Sequence, residues 1–185
     1  MYKSKEREVN NKDTEWVKDN IIVDAMFIGI DPGVNGGVAI LDYIDGIEHC
    51  CSFRCPKTVG EMAMGLGSKI KSKPSHDIFV YIEHVHSMPK QGVVSTFTFG
   101  QNFGQWQGIL ASYELDFNLI SPMKWMNTLG LPKLQRKERK RWLKDKAEQL
   151  FPNEKMTFNV SDSFLIANYG KELYYKEKAD VTDMV

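Results

Sequence analysis

A chain of 185 residues, 42% hydrophobic and 26% charged, is long enough for one domain with a full core. Its composition excludes collagen-like, low-complexity and wholly disordered classes. Lysine plus arginine balance aspartate plus glutamate at 24 each, so a nucleic-acid partner would have to be met by a local patch rather than by the total charge.

Residues 1–25 open with a polar, highly charged stretch and read as a leader, with a short helix expected around Glu15–Lys18. The leader has no apolar core of a secretory signal, and no run approaches the roughly 20 apolar residues of a membrane helix, which points to the cytoplasm. The folded unit is expected over residues 26–178, with a short tail at 179–185. MFIGIDPG, from Met26, is a short apolar strand stopped by Pro32 and Gly33; VAILD follows a Gly-rich turn, and Ile47–Arg54 forms a third strand. Tight turns between these three imply an antiparallel meander. Cys50, Cys51 and Cys55 are an odd set with His49 beside them. They make a poor disulfide framework and lack the second ligand pair of structural zinc, so idle or buried thiols are the reading adopted.

Lys57–Lys71 is helix-like, and DIFVYIEHV, from Asp77, is the continuous apolar run of a strand buried on both faces. Helical spacing returns over Ser95–Leu115, where Phe99, Phe103, Trp106 and Leu110 recur; with Phe97 they suit a core or a dimer interface better than a base-stacking platform. FNLI makes a fifth strand and Pro122 starts a helix. Lys137–Leu150 is a charged helix, and a last helix runs from about Ser161 through Lys178. Trp125 and Trp142 are expected to pack. A meander followed by alternating strands and helices is an α/β layer architecture in one domain.

Three carboxylates stand out. Asp31 ends the first strand and by itself fits an ordinary turn residue. Asp162 begins an apolar helix and by itself fits an N-terminal cap. Glu83 is different, because a lone carboxylate within a buried strand costs several kcal/mol unless it has a partner, a proton or a metal. Two strand ends and a helix start can meet at one edge of such a sheet. There the carboxylates would raise one another's pKa values until a divalent cation neutralised them, and oxygen-only ligation suits Mg²⁺.

These residues sit in segments that carry a family resemblance. FIGIDPGVNGGVAILD, VYIEHVHSMPKQGVVSTFTFGQNFGQWQGIL, SPMKWMNTLGL, KERKRWLKDKAEQLFP and SDSFLIANYG occur in the order seen in RuvC-like Holliday junction resolvases, and resemble the phage-type members most. The resemblance spans Met26 to Gly170. It implies a ribonuclease H-like mixed sheet, three antiparallel strands and then two parallel, flanked by helices. It further implies a homodimer that resolves four-way DNA junctions by paired symmetric nicks. In that scheme Asp31, Glu83 and Asp162 bind two Mg²⁺ ions, with Mn²⁺ able to substitute. The family usually has an acidic residue or histidine three positions before the last aspartate. Asn159 stands there instead, an amide that can ligate but brings no charge.

Lys133–Lys146 is densely basic, and Glu138 and Asp145 offset only part of its charge. The expected phosphate contacts are Lys133, Arg136, Lys137, Arg139, Lys140 and Lys144, with binding that falls steeply as salt rises. In the loop after Glu83, Lys90 and Gln91 are further phosphate candidates. His86 and Met88 are candidate wedges against an unstacked base, and His86 is also a candidate general base. The resemblance of DPGVNGG to the phosphate loop of actin-like kinases fails on length, since those need two lobes. A flap, fork or RNA–DNA hybrid nuclease would share the same metal site, and a binding protein weakened at Asn159 is a third alternative.

Overall fold

The computed structural model describes residues 24–71, 77–84 and 92–182. Five strands form one sheet: β1 (Ala25–Asp31), β2 (Gly37–Ile44), β3 (Ile47–Arg54), β4 (Asp77–Glu83) and β5 (Phe117–Ile120). The spatial order is β3-β2-β1-β4-β5. β2 pairs antiparallel with both β1 and β3, while β4 lies parallel to β1 and β5 parallel to β4. The expected three-plus-two mixed sheet is therefore present. The helices are α1 (Val59–Ile70), α2 (Val93–Ser112), α3 (Pro122–Thr128), α4 (Arg136–Leu150) and α5 (Ser161–Thr182).

Alternation along the central strands builds two cores. Met26, Ile28 and Ile30 of β1 join Val38, Ile40, Val80 and Ile82 against α1 and α2. Ala25 and Phe27 face the other way and join Leu41, Tyr81 and the buried residues of α3, α4 and α5. Because β1 and β4 are covered on both faces, they read as apolar runs instead of alternating ones. Cys50 and Cys51 fall on opposite faces for the same reason, one beside each core, so neighbouring thiols do not share a side.

Local signals explain the helix boundaries. Thr58 caps α1 in a reciprocal box with Glu61, so this helix begins at Val59 and not at Lys57. Gln135 and Glu138 form the equivalent box for α4, which starts at Arg136. α2 begins at Val93 and ends at Ser112, two residues earlier than Ser95 and three short of Leu115. The last helix continues past Lys178 to Thr182.

Gly29 sets the depth at which α5 crosses the sheet. A Cβ there would fall on the backbone oxygen of Ser163 and the backbone nitrogen of Ala167. Only hydrogen at this position lets the first turns of α5 lie directly against β1. That contact brings the start of α5 over the end of β1.

Candidate active site

Asp31 occupies the same face of β1 as Ala25, Phe27 and Gly29, by the two-residue period of the strand. Glu83 likewise shares the face of Tyr81 on β4. Ile30 is paired with Ile82 in the parallel register, so Asp31 and Glu83 are the next residues of two adjoining strands, at their carboxyl ends. The first turn of α5 lies over this edge and carries Asp162. Three side chains from distant parts of the sequence thus meet at one sheet edge.

All three are half-buried, and their electrostatics are coupled. Burial pushes the Glu83 carboxyl up to about 8, and the nearby charges of Asp31 and Asp162 push in the same direction. Burial also lifts Asp162 to about 6, again reinforced by Asp31. Asp31 is raised by burial against the pull of the Gly33 amide and Lys140. Among the described residues no ion pair reaches any of the three. Each side chain accepts a hydrogen bond. Gly33 N–H donates to Asp31 Oδ1 at 3.0 Å, the Trp125 indole to Glu83 Oε1 at 3.1 Å, and Ser161 Oγ to Asp162 Oδ1 at 3.4 Å.

The turn after β1 wraps round Asp31. Gly36 N–H donates to the Gly33 carbonyl at 2.8 Å, and a side chain at Gly36 would collide with the Asp31 carboxylate. The bland role of Asp31, holding a turn, and its role in the carboxylate group are therefore served by one side chain. Asn159 reaches the same turn: its Nδ2 donates to the Asn35 carbonyl at 2.6 Å. That bond commits the amide nitrogen to strapping two loops together and leaves the amide oxygen as the remaining donor atom.

The donor chemistry fits a hard divalent cation: oxygen atoms only, like-charged, partly desolvated and in no ion pair among the described residues. Among the described residues no three His, Cys, Asp or Glu side chains close on one point tightly enough to enclose an ion. Mg²⁺ does not require such a cage, since it is commonly held by one or two carboxylates together with water and substrate phosphate.

α4 brings its basic residues to this edge. Lys140 acts on Asp31 and Asp162, and Arg139 on Glu83 and Asp162, in each case favouring the ionised carboxylate. Lys133, Arg136, Lys137 and Lys140 are exposed and Arg139 is half-buried. Glu138 accepts the Gln135 N–H at 3.2 Å at the start of α4. Lys144 is the least free of the set: it is paired with Glu148, and its Nζ stands 5.9 Å from the centre of the Phe158 ring. Lys90, Gln91, His86 and Met88 lie outside the described residues.

Sequence reasoning assigned Trp125 to packing alone. It is fully buried, yet its N–H reaches Glu83. The available signal was that a buried indole N–H usually finds an acceptor. The aromatic stripe of α2 divides: Trp106 is buried in the core and Phe103 packs against it, whereas Phe97 is 72% exposed.

A Thermus thermophilus RuvC solved in complex with a Holliday junction substrate has a similar structure. Its TM-score is 0.52 over 78% of this chain and 91% of that one, at 12% sequence identity. A second Thermus thermophilus RuvC structure matches at a TM-score of 0.49 over 83% of this chain and 96% of that one, also at 12% identity. No protein-family model and no curated protein matches the sequence. At such identity the first likeness establishes the fold, which is RuvC-like and hence ribonuclease H-like.

Proposed function

We propose that this chain is a divalent-metal-dependent endonuclease that resolves four-way DNA junctions by paired nicks. The observation that carries the reading is the meeting of Asp31, Glu83 and Asp162 at one sheet edge, unmatched by internal ion pairs and faced by Arg139 and Lys140. The fold shared with a RuvC that was solved on a Holliday junction supports the choice of substrate.

In this reading Asp31, Glu83 and Asp162 hold the metal, and the Asn159 amide oxygen is the fourth donor. Two Mg²⁺ ions bound there, or Mn²⁺ in their place, supply an activated water and charge stabilisation of the leaving oxygen. The Gly33 amide and the turn fix the Asp31 carboxylate in one orientation. Arg139 and Lys140 draw the scissile phosphate towards the carboxylates, which would otherwise repel it. Lys133, Arg136, Lys137 and Lys144 continue the basic track along the DNA backbone, while Lys90 and Gln91 add phosphate contacts and His86 or Met88 wedges the exchange point.

Two such sites are needed for paired nicks, and α2 offers the face on which a second copy fits. Val93, Val94 and Phe97 are 84%, 79% and 72% exposed, and further along the helix the Cβ positions of Gly100, Gly104 and Gly108 open onto free space. An apolar end followed by a smooth glycine surface lets two helices approach closely in an isologous dimer.

The test is cleavage of a synthetic four-way junction with Mg²⁺, beside forked and RNA–DNA hybrid substrates. Wild type should nick the junction, Asp31→Asn should lose at least a hundredfold, and Asn159→Asp should nick faster. Equal cutting of all substrates would replace junction selectivity by a broader nuclease. The charge-neutral Asn159 favours a second reading, junction binding with weakened catalysis. Tight binding without nicking, cured by Asn159→Asp, would select it.

A further inference from the structure

The Glu83 carboxylate accepts one hydrogen bond among the described residues, and the donor is an indole. Its position follows from the sheet. The register of β4 with β5 pairs Glu83 with Ile120, and the His84 amide donates to the Ile120 carbonyl at 2.7 Å. Pro122 then starts α3 directly beside the end of β4, and Trp125 arrives one turn later. The ring has no exposed surface and sits in the core formed with α4 and α5. Thr128 Oγ donates back to the Trp125 carbonyl at 2.8 Å and tightens the end of the same short helix.

A buried indole cannot swing to another acceptor, so its N–H defines a fixed point. Its bond to Oε1 restricts rotation of the Glu83 carboxylate about its last torsion, which is otherwise broad. The second oxygen, Oε2, is left without a hydrogen-bond donor among the described residues. We infer that Trp125 is a positioning residue: its N–H clamps one oxygen of Glu83 and commits the other to the divalent cation. The inference rests on the reading of Glu83 as a metal ligand. Outer partners that orient a ligand in this way typically change metal affinity by about 10- to 100-fold when removed.

The test separates the N–H from the bulk of the ring. Trp125 is replaced by 3-benzothienylalanine, which keeps the bicycle and puts sulfur where the N–H stood, and in parallel by Phe. Trp142→Phe, a half-buried packing tryptophan on α4, controls for general loosening of that core. Mn²⁺ affinity is read from the free-ion paramagnetic resonance signal, junction affinity is measured in EDTA, and melting is followed without metal. Mn²⁺ affinity is expected to fall about tenfold or more in the benzothienyl protein, with junction affinity in EDTA unchanged. Trp125→Phe should lose a similar factor, and Trp142→Phe should lose none.

Unchanged Mn²⁺ affinity in the benzothienyl protein overturns the inference, as does an equal loss in Trp142→Phe. Glu83→Gln tells the two failures apart. If it weakens Mn²⁺ binding while the benzothienyl protein does not, the clamp alone is wrong. If Glu83→Gln also leaves Mn²⁺ binding intact, Glu83 is not a ligand and both readings fall.

Discussion

Glu83 and Asp162 illustrate how a single carboxylate answers to its surroundings. With folded values of about 8 and 6, both hold protons that the unfolded chain gives up near the ordinary range. The folded state then binds more protons than the unfolded state, so stability falls as pH rises. Their contribution is fully present below pH about 4 and is lost progressively up to about 8. Without metal, the melting temperature of wild type should drop between pH 5 and pH 8 relative to Glu83→Gln, which cannot titrate. Added Mg²⁺ should recover more of the melting temperature at pH 8 than at pH 5, because the ion binds the ionised forms. A difference from Glu83→Gln that stays flat with pH would remove the coupled carboxylates as the cause.

At the scale of elements, the site depends on how closely α5 lies against β1. Gly29→Ala places a methyl group into the backbone of Ser163 and Ala167, atoms that cannot step aside as a flexible side chain would. The strand or the helix must shift, at a cost of about 1–3 kcal/mol. Because Asp162 lies in the turn just before the contact, the same shift should draw it away from Asp31. Denaturant unfolding should show the loss of stability, and Mn²⁺ binding should weaken beyond what the stability loss explains. If both stay at wild-type values, the close approach at Gly29 is not what positions α5. α4 contributes to the site in another way: its Arg139 and Lys140 lie close enough to favour the ionised carboxylates.

The whole molecule presents two faces with different tasks. The carboxyl ends of β1 and β4 form the acidic edge with α4 beside it, whereas the start of α2 exposes Val93, Val94 and Phe97 and its later glycines face open space. Phe97→Glu places a charge in the centre of the proposed dimer face while leaving the core untouched. Light scattering should show a monomer at concentrations where wild type is a dimer, and junction cleavage should change from paired to single nicks. A variant that remains dimeric would move the interface to another surface. Among the described residues no helix is long and apolar enough to cross a membrane.

The strands of this sheet, the antiparallel meander of the first three and the two-sided burial of β4 follow from runs of apolar residues and tight turns, which are local properties of the chain. Glu83 was visible as a carboxylate in a strand that ordinarily excludes one, whereas Asp31 and Asp162 occupy places where aspartate is ordinary, a turn and a helix start, and stood out only through the ordered family resemblance. Their meeting was not a local property. It depends on the β1–β4 register, on which side of each strand faces α5, and on the missing side chain at Gly29, none of which is set by nearest neighbours in sequence. Trp125 and the Asn159–Asn35 strap were hidden for a related reason, since each joins residues far apart in the chain, 42 and 124 positions respectively. Periodicity and composition report what a residue does within its own element; long-range packing alone decides which atoms of different elements come within hydrogen-bonding or Coulomb range.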